Sequence, residues 1–449
     1  MKFKKSLLTL FIVILSLCVV LFGCGKAADE GSKDTPQGTA SEESPKQEAE
    51  TKTVTLELSS WRTEDVEPFN RINEAFNKKY PNIKVEFKPI KNTEYDAQIK
   101  IALESGEGPD LLYLRPYDAG RLLASSGVIM ELTPEMVPAL KDANPSYLEA
   151  FKTDDGKIYA LPGGRVMLGF LYNKKIFQEY GLEEPKTWDE FYQVCEKLQE
   201  NGVRPIAMGF KDAWTIAHRS YQMLPAFIEG NAEEWRRKLL NGEVRFTDES
   251  FVNHLACLNK MKEYCGSDFL GLGYVDTQQL FLAEQAAIFP GGSFEITYFR
   301  QTNPDLEFDV FATPSNTKAG PAPVAMTPSW GYSINKNTRN VDECLVYLNW
   351  LATPEAAEII VNELPGMPPM IPGNIEIEDE IMKKWSSFVG EKGDNVAMYW
   401  AFDKLNSQVP TGAVLIGEAV QMMWQGDYTP EQAAEHVQKG ISTWYEPHK

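Results

Sequence analysis

Three successive patterns between residues 54 and 90 constrain this chain more than any other feature. Residues 54–58 alternate apolar and polar side chains, residues 66–80 repeat apolar ones at helical spacing through Phe69, Ile72 and Phe76, and Ile83, Val85 and Phe87 alternate again. Strand, helix and strand in that order make a β-α-β unit. Residues 95–104 read as a second helix, Gly106-Glu107-Gly108-Pro109 stops it, and Leu111-Leu112-Tyr113-Leu114 is an apolar run suited to a buried parallel strand. The fold class is α/β. Asp154-Asp155-Gly156, between two strand-like runs, reads as a tight hairpin. Its aspartates are turn residues, because the other positions of a calcium-binding loop are missing.

Ahead of this region stands a segment of different character. Lys2, Lys4 and Lys5 form a basic n-region, residues 7–22 form an apolar h-region, and the run stops at Gly23-Cys24, which reads as a secretory signal over residues 1–23. The uncharged stretch, at about 20 residues, is also long enough to be retained as a membrane helix. Residues 25–52 contain no Leu, Ile, Val, Phe, Tyr or Trp, so they cannot bury a core and read as a disordered linker. Such a linker spans on the order of 30 Å. Leu21-Phe22-Gly23-Cys24 resembles a bacterial lipobox, and that resemblance implies a diacylglyceryl thioether on Cys24, cleavage before it, and anchoring to the cell membrane without spanning it.

The remaining chain is long enough for two domains, and 43% hydrophobic residues overall are enough for a sizeable core. The net charge is −20, or −23 without the three lysines of the leader. That balance argues against a nucleic-acid partner, which needs a basic face, and makes an anionic ligand less expected. Apart from Cys18 and Cys24, the cysteines are Cys195, Cys257, Cys265 and Cys344, with no C-x-x-C pair. Cys257 and Cys265 are the only plausible disulfide, and four buried thiols acting as small hydrophobes are the alternative.

Further along, Tyr159-Ala160-Leu161-Pro162, Leu171-Tyr172-Asn173-Lys174-Lys175-Ile176-Phe177, Gly181-Leu182, Pro185-Lys186-Thr187-Trp188-Asp189-Glu190-Phe191 and residues 202–207 follow one another in fixed order. With Gly108-Pro109-Asp110, residues 281–294 and Trp350-Leu351-Ala352-Thr353-Pro354-Glu355, they resemble the extracellular solute-binding proteins of ABC importers, in the carbohydrate-binding group of the maltose-binding type. The resemblance spans nearly all of the folded region. It implies a two-lobed, type II periplasmic-binding-protein-like fold with a ligand cleft between the lobes. Lobe one would take residues 53–160 plus 312–364, and lobe two residues 161–311 plus 365–449. Residues 314–323 and Pro365-Gly366-Met367-Pro368-Pro369 have the breaker composition of inter-lobe connections. The resemblance further implies a monomer with an oligosaccharide or other small sugar as ligand, ABC permease membrane subunits as partners, no cofactor, no metal and no catalysis.

The residues themselves support candidate roles. Thr187 with Glu190 three positions on forms a capping box opening a helix over 188–200. Gly291-Gly292 after the apolar run 286–290 permits close backbone approach at a strand's carboxyl end, where open α/β sheets place ligands, and Phe294 and Glu295 would then face the cleft. In the family this turn usually ends in tryptophan, so Phe294 departs from the pattern. Sugar binding needs aromatic faces for the C–H side of a ring and polar groups for its hydroxyls. Trp61 with Arg62 follows the first strand, Asp212 and Trp214 follow the strand at 205–209, Trp330 precedes a strand at 331–334, and Trp400 lies in the carboxyl-terminal helices. Trp188, Trp235, Trp350, Trp385, Trp424 and Trp444 fall in helical patterns and are assigned to core. Arg115, Tyr117 and Arg165 come from further strand ends, and the two arginines keep an acidic sugar open. A lipid-anchored glycoside-active enzyme and a binder of a non-sugar solute are the alternatives, although no G-x-S-x-G, H-E-x-x-H or Walker motif occurs and the four histidines are scattered.

Overall fold

The computed structural model describes residues 53–228, 231–316, 322–370, 375–390, 396–398 and 402–449. The leader, Cys24, the linker and Trp400 lie outside the described residues.

Among the described residues nine strands form the sheet: β1 (Val54–Ser60), β2 (Ile83–Pro89), β3 (Leu111–Leu114), β4 (Leu161–Asn173), β5 (Arg204–Ile206), β6 (Ala286–Gly292), β7 (Phe308–Phe311), β8 (Val324–Ile334) and β9 (Val396–Met398). Their order is β2-β1-β3-β8-β4-β6-β5, with β7 also on β4 and β9 on β8. The opening β-α-β unit forms as expected: β1 and β2 pair in parallel from Val54 opposite Ile83, joined by the helix Val66–Lys79. That helix buries Phe69, Ile72 and Phe76, and the Phe69 ring stacks on Phe87 at 4.3 Å. β3 is parallel to β1 but antiparallel to β8, so its expected parallel pairing holds on one side only.

β4 joins the two halves of the sheet. Its first half pairs with β8, and its second half, from Leu168 to Asn173, pairs with β6 and β7. The β4–β8 register shifts at Gly163-Gly164. The reason is steric: a Cβ on Gly163 would lie 2.4 Å from Trp330 Nε1, and one on Gly164 2.2 Å from Trp330 Cη2. The Trp330 ring fills the space those glycines leave and stacks on Tyr113 at 4.6 Å with planes 6° apart. Trp330 therefore sits inside β8 and not ahead of a strand. β8 begins at Val324, and Pro328 and Gly331 mask its strand pattern in the sequence.

Two main cores flank this crossing. One collects Phe69, Phe76, Tyr113, Trp330, Tyr347 and Trp350 around β1–β3 and the helices Val341–Leu351 and Pro354–Glu363. The other collects Phe170, Trp188, Phe191, Trp235 and Trp424 around the second half of β4, β5 and β6. A smaller cluster holds Phe281, Phe289, Phe299 and Trp385. Each such aromatic, once fully buried, contributes about 1.5–3 kcal/mol. Five of the six tryptophans assigned to core are buried, and Trp444 is half-buried with its Nε1 donating to Pro410 O at 2.9 Å.

The capping box forms: Thr187 Oγ1 accepts from the Glu190 N–H, and the Glu190 carboxylate accepts from the Thr187 N–H, both at 3.3 Å. The turn at Asp154-Asp155-Gly156 is tight, with Gly156 at φ +81°, but the runs beside it make single bridges and not strands. Cys257 and Cys265 are not bonded to each other. Cys257 Sγ lies 3.1 Å from the Tyr192 hydroxyl, while the Cys265 thiol donates to Met261 O.

Gly164→Ala should destabilise the protein by about 1–3 kcal/mol, because the new methyl has to displace a ring packed on both faces. The midpoint of urea unfolding measures it, and an unchanged midpoint would show that Trp330 can move freely.

Candidate functional site

β1 ends at Ser60 and delivers Trp61 and Arg62. Trp61 is 8% exposed, with its edges against Tyr95 at 5.3 Å and Tyr113 at 5.5 Å. Arg115, from the end of β3, lays its guanidinium over the Trp61 ring at 4.2 Å and is pinned by Asp96 at 2.8 Å and Asn92 at 2.7 Å. Trp61 and Arg115 therefore satisfy each other through a cation–π contact. Arg62 is buried and forks onto Asp65 at 2.5 and 3.1 Å, with Glu64 at 3.2 Å. Burial opposes its charge, but Asp65 and Glu64 outweigh that and hold its pKa above the usual arginine value. The pair fastens the turn Thr63–Asp65 at the mouth of β1.

Tyr117 follows β3 with φ at +64°, a left-handed conformation that costs a non-glycine residue about 1–3 kcal/mol. It is held by its N–H on Ala150 O at 2.7 Å and by its hydroxyl, 3.1 Å from Thr327 Oγ1 on β8. Arg165 lies on β4 just past the register shift. Its Nη1 donates to Tyr147 Oη at 3.2 Å, and its buried Nε has no partner among the described residues. Trp330 lies wholly inside the core, as described above.

The ends of β5 and β6 differ, because there an aromatic face is open. Trp214, on the helix Ala213–Met223, is 42% exposed and meets Tyr274 at 4.7 Å and His218 at 5.2 Å, both edge-on. Burial, and then neighbouring Arg219, lower the His218 pKa to about 3, so its imidazole is neutral. Asp212 Oδ2 accepts the Tyr274 N–H at 2.6 Å. The Tyr274 hydroxyl donates to Glu295 Oε1 at 2.5 Å, and Gln278 Nε2 donates to Glu295 Oε2 at 2.8 Å. Glu295 is 1% exposed. Burial pushes its carboxyl up to about 7, against the Tyr274 and Gln278 hydrogen bonds and Arg219, while Glu64 adds to the rise. A cavity of about 10 Å³, with room for roughly one water, opens among Met208, Thr215, Arg219, Tyr274 and Thr277. Behind it Arg219 Nη1 donates to Gln222 Oε1 at 2.8 Å, and Gln222 Nε2 donates to Gly169 O on β4 at 2.7 Å. Phe294 is half-buried against Gly292, where a Cβ would meet its ring at 2.1 Å.

The structure thus brings Asp212, Trp214 and Glu295 into one group and places Trp61, Arg62 and Trp330 in packed interior positions. Tyr274, Gln278 and His218 were not foreseen. The sequence does carry one signal for Tyr274: it opens the helix Tyr274–Leu282, whose start is marked by the Gly273 N–H donating to Asp276 Oδ2 at 2.8 Å.

The geometry is that of an aromatic face bordered by carboxylates at the ends of strands, in a fold of known relatives. Residues 60–358 match the family model described as bacterial extracellular solute-binding protein, and the chain belongs to that family. An uncharacterised ABC transporter extracellular-binding protein of Pyrococcus horikoshii is 27% identical over 328 residues, 70% of each chain. The multiple sugar-binding protein of Streptococcus mutans is 23% identical, over 80% of this chain and 81% of its own. Among solved structures, RafE in complex with raffinose superposes with a TM-score of 0.68 at 22% identity, covering 88% of this chain and all of that one. The fold is accordingly the two-lobed α/β fold of solute-binding proteins, and the location is extracytoplasmic.

Asp65→Ala should cost about 3 kcal/mol, since it leaves Arg62 buried with only Glu64 to offset its charge. Thermal unfolding checks this, and a loss below about 1 kcal/mol would mean that solvent reaches Arg62 in place of the carboxylate.

Proposed function

We propose that this protein captures a carbohydrate outside the cell and delivers it to the membrane permease of an ABC importer. The observation that carries this reading is the open Trp214 ring with Asp212, Tyr274 and Glu295 beside it. An exposed indole offers a flat apolar face for the C–H side of a sugar ring, and the adjoining oxygens and hydroxyl offer partners for its hydroxyl groups. The names of relatives point the same way, among them the multiple sugar-binding protein and RafE. Asp212, which holds the Tyr274 N–H beside Trp214, supports a neutral, hydroxyl-rich solute over an anionic one.

In this reading residues 53–160 plus 312–364 form lobe one, residues 161–311 plus 365–449 form lobe two, and the protein works as a monomer. Ligand docks on the Trp214 side and the opposite lobe closes over it, completing its hydrogen bonds. Arg115 and Tyr117 in lobe one and Arg165 in lobe two are further candidates at strand ends, and Trp400 is carried by the family resemblance alone. Cys24 supplies the lipid anchor that keeps the released solute near the permease.

Titration calorimetry against neutral oligosaccharides such as raffinose should show binding that Trp214→Ala weakens about tenfold or more, the loss of roughly 1.4 kcal/mol from one stacking contact. Unaltered affinity in that variant would move the site elsewhere, and hits restricted to peptides or metal ions would end the carbohydrate reading. Independently, Cys24→Ser should abolish incorporation of labelled fatty acid in the producing cell. Retained label, or a mature amino terminus at Met1, would contradict anchoring.

A further inference from the structure

Both oxygens of Glu295 face donors: the Tyr274 hydroxyl at 2.5 Å and the Gln278 amide at 2.8 Å. An ionised carboxylate satisfies the two at once. A protonated one must place its own hydrogen, and with the Gln278 amide keeping its N–H on Oε2, the phenolic oxygen is the neighbour that accepts it. The O–H···O bond between Glu295 and Tyr274 then reverses, and the tyrosine hydrogen is released from Glu295, on a residue that lines the cavity and whose ring meets Trp214.

We propose that Glu295 is a proton-operated positioning residue that decides whether the Tyr274 hydroxyl can donate to a ligand hydroxyl, so that ligand capture takes up one proton. The inference rests on the carbohydrate reading for its ligand and, for its switch, on the paired hydrogen bonds and burial of Glu295. One proton enters from solvent onto Glu295, one hydrogen bond changes direction, and no covalent bond other than O–H is made.

The surroundings place the switch in a useful range. Glu295 is held near neutrality by burial, which raises its carboxyl to about 7. Facing it are Tyr274 and Gln278 from the helix Tyr274–Leu282, Arg219 from the helix Ala213–Met223, which favours ionisation, and Glu64 from the turn Thr63–Asp65, which opposes it and is itself tied to Arg62. Asp212 acts on the other end of Tyr274, accepting its backbone N–H. The carboxyl is neutral below about pH 7, so the donating form of Tyr274 is populated there and is lost as pH rises through that value. If only that form binds, the apparent affinity scales with its population and weakens about tenfold between pH 6 and pH 8.

The test uses the full chain in detergent. Without ligand, the fluorescence difference between wild type and Trp214→Phe, followed from pH 5 to 9, isolates the Trp214 signal; it should show one inflection near 7 that disappears in Glu295→Gln and in Tyr274→Phe. With raffinose and stachyose as probes, calorimetry should show affinity falling about tenfold from pH 6 to pH 8 in wild type and flat in Glu295→Gln. Because Tyr274→Phe leaves the carboxylate in place, it serves if the glutamine variant unfolds. A featureless Trp214 titration overturns the switch, and so does sugar binding of constant affinity across that range, which would leave the carbohydrate reading standing. An inflection near 7 with no neutral sugar bound would support the switch and overturn the carbohydrate reading.

Discussion

The thirteen residues of β4 are hydrogen-bonded to β8 over one half of their length and to β6 and β7 over the other, so one strand serves as a wall of two cores. That arrangement is possible because Gly163 and Gly164 carry no side chain where Trp330 must lie. A ring stacked on Tyr113 on one side and seated against backbone on the other ties β3, β4 and β8 into a single packed layer. Interiors of this density do not deform continuously, so positions at the strand ends are set by this layer.

The consequence for the site is an asymmetry between its two sides. On the β1 and β3 side the aromatic and cationic residues are spent on one another: Arg115 covers Trp61, and Asp65 neutralises Arg62. A buried guanidinium without its carboxylate would be costly, so these contacts are structural requirements before they are anything else. On the β5 and β6 side Gly169 on β4, Gln222 and Arg219 are joined by hydrogen bonds, Tyr274 and Glu295 by another, and the Tyr274 ring meets an indole that remains open to solvent. Rigid support behind an exposed face is what a binding surface needs, because it lowers the ordering cost of association.

Membership in the family of extracellular solute-binding proteins explains why the chain is built this way. Capture of a polar solute from water needs groups whose hydrogen-bonding capacity is held ready and not satisfied internally. Glu295 illustrates the tension: it is nearly inaccessible, yet one of its oxygens holds the tyrosine that borders the open ring while the other holds Gln278. Phe294 is half-buried, and the open aromatic of this group is Trp214 on another element, the helix Ala213–Met223.

Local pattern determined a good deal without help. The β-α-β unit, the strand Leu111–Leu114, the capping box at Thr187 and the burial of Trp188, Trp235, Trp350, Trp385 and Trp424 follow from periodicity, capping chemistry and residue size, which act over a few neighbouring positions. The grouping of Asp212 and Trp214 with Glu295 was only half legible, since each lay at a foreseen strand end while the residue that joins them, Tyr274, did not. What the tertiary structure alone decided is which side chains were already taken. Trp61 and Trp214 look alike in sequence, each an indole just beyond a strand beside charged residues, and only packing distinguishes them. One has a guanidinium 4.2 Å above its ring and the other faces solvent. Arg115 reaches Trp61 from 54 positions away in the chain, and a contact over that separation leaves no local trace in either segment.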